Sequence, residues 1–251
     1  QMFLPDYVAN SGVVRAVSGN SVWTGPVLMT GDTRLGAAGT QQIQNGLNAA
    51  SIEFSGAISS QNDAPFTLEK VGRGTIILSG SNTYTGQTLV SEGVLEVRNP
   101  NALGAATAVG NTVVRPGAAL QVRSDIESEP ITVNGDGILF NGRPTGALRN
   151  VGGNNVYNGP LTLGTDLDLG DQTPPVADLN DPDQVTIGVD SGSTLRIGQN
   201  PASLVNPAGV GRVASSTNRV VTLSVATPPA DIALLTSNNP AVTVTTVRNG
   251  S

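Results

Sequence analysis

The chain has 251 residues, of which Gly (31) and Pro (16) make about a fifth, while charged residues are 13%, near half the ~25% of an ordinary globular domain. That composition disfavours long helices, and with one Trp, three Tyr and four Phe the core must be built from small aliphatics. Cys and His are both absent, which excludes zinc sites built on those ligands, thiol nucleophiles and every mechanism needing a histidine base; the net charge of −6 argues against nucleic acid or an anionic membrane as partner.

The N-terminal QMFLPDYVAN lacks the basic stretch and apolar run of a signal peptide, and no run reaches the roughly 18 apolar residues of a membrane span, so the chain is expected to be mature or a fragment. Gly12–Met29 follows, with Trp23 between Gly19 and Gly25. Short alternating runs then recur every ten residues or so: Ile52–Phe54, Ile76–Leu78, Val94–Val97, Leu120–Val122 and Ile131–Val133. Between them lies Gly80–Val90, with Asn82, Tyr84 and Gly86. Asn134-Gly135 and Asn141-Gly142 mark turns before Gly146–Leu163, where Tyr157 stands between Gly153-Asn154 and Gly159. Further runs are Leu161–Leu163, Leu167–Leu169, Val185–Ile187 and, after the Asp190-Ser191-Gly192 turn, Leu195–Ile197. Beyond Asn206 the motif disappears, although Val221–Val225 and Val242–Thr245 still alternate.

Gly12–Met29 and Gly146–Leu163 share eight identities in eighteen ungapped positions, among them Gly19/Gly153, Asn20/Asn154 and Gly25/Gly159. With Gly80–Val90 as a third copy, Trp23, Tyr84 and Tyr157 are expected to hold one motif position. Strands of three or four residues with one inward apolar row and glycine corners cannot form a well-covered sandwich, but they suit a parallel β-solenoid in which each coil covers the next. At about 20–25 residues per coil, ten to twelve coils would make a rod on the order of 50 Å long. An antiparallel sandwich or barrel is the alternative. Residues 1–205 read as solenoid, with motifs near 12–36, 72–104 and 146–170; 206–251 read as further coils, a cap or a junction.

Gly72–Gly104, GRGTIILSGSNTYTGQTLVSEGVLEVRNPNALG, resembles the autotransporter-associated β-strand repeat. Gly72, Gly74, Thr75, Leu78, Gly80, Asn82, Thr83, Tyr84, Gly86, Thr88, Val90, Gly93, Leu95, Val97 and the Ala102-Leu103-Gly104 tail match its pattern, with Ile76 and Gln87 as small departures. The resemblance implies a right-handed β-helical passenger region of a type V secreted or very large bacterial surface protein, and hence an extracellular or cell-surface location. It also implies that the segment belongs to a longer chain. Absent cysteine fits export through a narrow pore.

Each site motif has a structural and a functional reading. Trp23, Tyr84 and Tyr157 fill coil corners beside their glycines or stack sugars, and Asn20, Asn82 and Asn154 satisfy turn backbones in a ladder or bind sugars. Asp178, Asn180, Asp181 and Asp183 offer oxygens at a spacing that suggests calcium, yet without the glycine and bidentate Glu of an EF-hand loop they read as a solvated acidic loop; no other cofactor is expected. Asp166 and Asp168 are an i, i+2 carboxylate pair that a polysaccharide-cleaving β-helix could use. Gly209–Ala214 only echoes a dinucleotide fingerprint, since it follows no strand. The reading is a non-enzymatic, extracellular β-solenoid that serves as stalk, fibre component or adhesin scaffold. Its partners are the neighbouring coils of a longer chain, further copies or surface glycans, with neither nucleic acid nor membrane insertion. A carbohydrate-active β-helix and a self-assembling filament subunit are the alternatives.

Overall fold

The computed structural model describes residues 12–39, 50–107, 109–140, 143–163, 185–197, 219–225 and 242–248. Apolar–polar–apolar runs of three to five residues, broken by glycine, bury one row of side chains each and then turn. The first turn of the coil is β1 (Val14–Ala16), β2 (Asn20–Trp23) and β3 (Val27–Met29); the second is β4 (Thr33–Ala37), β5 (Ser51–Phe54) and β6 (Ile58–Ser60). The third contributes β7 (Leu68–Val71) and β8 (Thr75–Leu78), the fourth β9 (Thr88–Val90) and β10 (Gly93–Val97), and the fifth β11 (Thr112–Val114) and β12 (Ala118–Val122). The sixth begins with β13 (Ile131–Val133) and makes a small hairpin of β14 (Leu139–Phe140) and β15 (Arg143–Pro144). It resumes as β16 (Leu148–Asn150) and β17 (Asn154–Tyr157). β18 (Leu161–Leu163), β19 (Val185–Val189) and β20 (Thr194–Ile197) form the seventh, and β21 (Arg219–Val225) and β22 (Val242–Arg248) add two more strands.

Each strand hydrogen-bonds its counterpart one turn later, so the solenoid has three faces. One is the seven-stranded sheet β1-β4-β7-β9-β11-β13-β18, and the second is the nine-stranded sheet β2-β5-β8-β10-β12-β16-β19-β21-β22. The third carries the pairs β3-β6 and β17-β20, with Asn82–Thr85 and Ala102–Ala105 stacked between them through Thr83 N–H to Ile58 O and Ala105 N–H to Tyr84 O. Among the described residues all ladders are parallel except the β14-β15 hairpin, which rules out the sandwich and the up-and-down barrel. The architecture is an all-β parallel β-helix.

A regular turn takes 20 residues from Leu68 to Thr88, 24 from Thr88 to Thr112 and 19 from Thr112 to Ile131. Three turns are longer: 35 residues from Thr33 to Leu68, 30 from Ile131 to Leu161 and 39 from Leu148 to Ile187. These excursions are why the described strands count nine turns at most, fewer than the ten to twelve expected. At about 4.8 Å per strand, nine stacked strands span on the order of 40 Å.

The interior is columns of like residues. Ile52, Ile76, Leu95, Leu120, Leu148 and Ile187 stack down the nine-stranded sheet, and Phe54, Leu78, Val97 and Val122 run beside them, all buried. The seven-stranded sheet directs Thr88 and Thr112 inward along with Val90, Val114, Ile131 and Leu161. Its core face is therefore partly polar.

Candidate functional site

The likeness of Gly12–Met29 to Gly146–Leu163 is a likeness of three consecutive strands, and the structure sets the two copies one face out of phase. β1 lies in the seven-stranded sheet, whereas its sequence counterpart β16 lies in the nine-stranded one; β2 lies in the nine-stranded sheet, whereas β17 lies on the third face. The three motif aromatics consequently do not share a position. Trp23, on the first described turn, pairs with Phe54 of the second and is 44% exposed, its ring centroid 6.5 Å from that of Phe54. Tyr84 and Tyr157 are equivalent to one another. Each stands on the third face, two residues before a glycine and four before a residue that opens a strand of the seven-stranded sheet, Thr88 or Leu161.

Both tyrosines are buried, and burial drives both phenol pKa values far above the ordinary range, so each hydroxyl stays protonated. The Tyr84 hydroxyl lies 2.6 Å from Thr88 Oγ1. The Tyr157 hydroxyl lies 2.7 Å from Glu129 O and 2.6 Å from Pro160 O. The glycines after them admit backbone: a Cβ on Gly86 would lie 2.1 Å from Phe66 O, and one on Gly159 would lie 2.1 Å from Glu129 O. The true counterpart of Gly80 is Gly25 rather than Gly19. Gly25, Gly56 and Gly80 form a corner column in which a Cβ on Gly56 would meet Gly25 O at 2.1 Å and one on Gly80 would meet Gly56 O at 2.4 Å. Gly19 and Gly153 open β2 and β17 with φ of 64° and 80°.

Asn20, Asn82 and Asn154 do not stack, because they lie on the first, third and sixth turns. Asn82 is buried, accepting from Ile58 N–H at 2.8 Å and donating to Ala102 O; Asn20 accepts from Ser51 Oγ at the exposed start of β2. Three asparagines outside that motif position cap the corners instead. Asn134 donates to Val114 O, Asn150 donates to Gly153 O and Thr194 O, and Asn155 donates to Asn150 Oδ1. Asp166, Asp168, Asp178, Asn180, Asp181, Asp183 and Gly209–Ala214 lie outside the described residues.

A concave feature of this surface lies where the third-face ladder breaks. Arg123 N–H still bonds Val97 O, but Ile126 then exchanges bonds with Val156 and Asn158 of the sixth turn. Among the described residues, no backbone hydrogen bond joins 99–106 to 124–129. The break opens a cleft of ≈ 310 Å³ walled by Asn101, Leu103 and Ala105 on one side and Glu127, Ser128 and Glu129 on the other. Glu129 is 5% exposed, and its Oε1 accepts from Thr112 Oγ1 at 2.8 Å. Burial pushes its carboxyl up to about 7, with the Thr112 bond opposing. Thr112 pairs with Thr88, so a polar column runs through the coil interior from Tyr84 by way of Thr88 and Thr112 to Glu129 and Tyr157.

Another buried ionisable group is Lys70, the chain's single lysine, 2% exposed. Its Nζ lies 3.1 Å from Val71 O, 2.5 Å from Gly72 O and 2.8 Å from Glu92 O, three carbonyls for the three N–H groups of an ammonium. Burial lowers its pKa to about 7, against the charge of Glu92. A signal for it was present in Leu68-Glu69-Lys70, where Lys70 shares the parity of the inward Leu68. The Glu129 cleft had no such signal, because it depends on a ladder break that local pattern does not encode.

Comparison with known proteins fits this geometry. Residues 68–97, which run from β7 to the end of β10, match the family model of the passenger-associated-transport-repeat. Over 106 residues the chain is 29% identical to the Adhesin BmaC autotransporter of Brucella suis biovar 1 (strain 1330), a match that covers 41% of this chain and 3% of that relative. The chain thus spans a small fraction of the curated relative's length. No solved structure matches. The resemblance read from Gly72–Gly104 is borne out: the third turn and the first two strands of the fourth, with Tyr84 and the corner glycines between them, match an autotransporter passenger repeat.

Proposed function

We propose that the chain is a segment of a secreted or surface-displayed passenger β-helix that acts as a rigid, non-enzymatic scaffold for adhesion. The observation that carries this reading is that the repeat at 68–97 sits inside ladders continuous on two faces, Leu68 to Thr88 to Thr112 and Ile52 to Ile76 to Leu95, so that its residues are spent on stacking. A passenger repeat and an adhesin relative support a surface, adhesin-like role. Stiffness follows from parallel ladders over a mostly aliphatic interior, length from repetition, and recognition from corner loops and clefts. Its natural partners are the coils before and after it in a longer chain.

The test is surface display. The segment, fused to a heterologous membrane anchor on non-adherent bacteria, should raise attachment to a glycan- or protein-coated surface, and the purified segment should scatter X-rays as an elongated particle. Attachment no greater than that of the anchor alone would overturn the adhesive role. Release of reducing sugar from a polysaccharide panel would overturn the non-enzymatic one.

A further inference from the structure

The cleft between turns four and five has features that stacking does not explain. Elsewhere on the third face neighbouring turns are joined by main-chain bonds, but 99–106 and 124–129 are not, so their facing backbone groups lack ladder partners. Glu129 is nearly all buried yet lines the cleft, and Thr112 is the one side chain that hydrogen-bonds its carboxyl among the described residues. Its other carboxyl oxygen is not among the fully buried polar atoms without a partner, so it meets the cleft rather than the sealed core.

We propose that this cleft is a recognition subsite for one uncharged, hydroxyl-rich ring of the pyranose kind, with Glu129 as its floor. The inference rests on the surface-recognition reading above and deepens it. A volume of ≈ 310 Å³ is at the small end of ligand clefts, about 300–1,000 Å³, and suits a single ring better than a peptide. Glu127, Ser128 and Asn101 are exposed polar groups around the mouth, and Leu103 and Ala105 give an aliphatic wall for the C–H face of a ring. Among the described residues no Lys or Arg lines the cleft, so a phosphate or carboxylate finds no counter-charge there. The buried Glu129 carboxyl keeps its proton up to about pH 7, so it can donate as well as accept, which matches a hydroxyl and not an ammonium.

Saturation-transfer NMR on the 251-residue chain at pH 6, with the methyl pyranosides of glucose, galactose and mannose as probes and glucuronate and glucosamine as charged controls, tests the proposal. At least one neutral pyranoside should receive saturation, and neither control should receive more. Ser128→Arg, which fills the mouth from an exposed position, should weaken binding at least tenfold without changing the circular dichroism spectrum. Glu127→Gln, which keeps the hydrogen-bonding shape and removes an exposed charge, should weaken it less than threefold. The subsite is overturned if no neutral pyranoside is saturated, if Ser128→Arg leaves the signal intact, or if either charged sugar is preferred. Any of these outcomes with an intact β spectrum removes the subsite while the scaffold reading stands.

Discussion

At Gly80, what matters is the absence of a Cβ. Carbonyl oxygens of one turn press against the glycine of the next, and a Cβ on Gly80 would sit 2.4 Å from Gly56 O, backbone that cannot rotate away. Gly80→Ala is therefore expected to destabilise by about 1–3 kcal/mol, the usual cost of forced overpacking. Gly25 heads the same column and would meet only the Trp23 indole nitrogen, at 3.5 Å, so Gly25→Ala should stay within about 0.5 kcal/mol when both variants are compared by urea titration. Equal losses at the two sites would show that the column is no steric stack. Tyr157→Phe should cost about 1–3 kcal/mol, because it leaves Glu129 O and Pro160 O without their shared donor.

Two of the buried ionisable residues, Glu129 and Lys70, whose pKa values burial moves toward 7 from opposite sides, give stability a pH profile of definite sign. Between about pH 4.5 and 7 an unfolded Glu129 has released the proton that the folded one holds, so the unfolded chain binds fewer protons and stability falls as pH rises. Between about pH 7 and 10.5 the unfolded chain keeps on Lys70 a proton that the folded one has lost, so stability climbs. Together these groups place a minimum near pH 7. Glu129→Gln should flatten the acid limb and Lys70→Met the alkaline limb of the midpoint-against-pH curve; an unchanged curve in either variant would show that the residue's environment is not the buried one described.

At the scale of elements, what the sequence revealed was set by strand length and by the polarity of the inward row. Ile76–Leu78, Val94–Val97 and Leu120–Val122 were legible because both inward residues of each are large and apolar. Thr88–Val90 and Thr112–Val114 were not, since each spends an inward position on Thr, whose hydroxyl serves the Tyr84–Glu129 column. The repeat itself was legible but its phase was not. All three faces use the same strand–glycine–strand chemistry, so β1–β3 could align well with β16–β18 while lying one face apart. Outside the coil, Arg98 bonds Glu53 and Glu96, and Glu96 also takes Arg123, a chain of charges across β5, β10 and the end of β12. The arginines are 38% and 45% exposed, so Glu96→Ala should cost about 1 kcal/mol or less and lose most of that effect in molar salt. A large, salt-insensitive loss would mean that Glu96 acts through packing instead.

For the whole molecule, a coil whose turns touch only their neighbours has a stability that is approximately a sum over turns and interfaces. Register then decides which deletions the fold tolerates. Leu68 and Thr88 occupy equivalent places one turn apart, so removing 68–87 joins Thr67 to Thr88 and sets β9 and β10 against β4 and β5 in the old register. The interior columns close up with the same kinds of residue, Leu95 meeting Ile52 and Val97 meeting Phe54. Removing 68–77 deletes half a turn and leaves every later strand facing the wrong sheet. The full-turn deletion should keep a β circular dichroism spectrum and a cooperative, somewhat weaker urea transition, while the half-turn deletion should lose both. If the half-turn deletion folds as well as the full one, or the full one collapses, the unit of this protein is not the single turn.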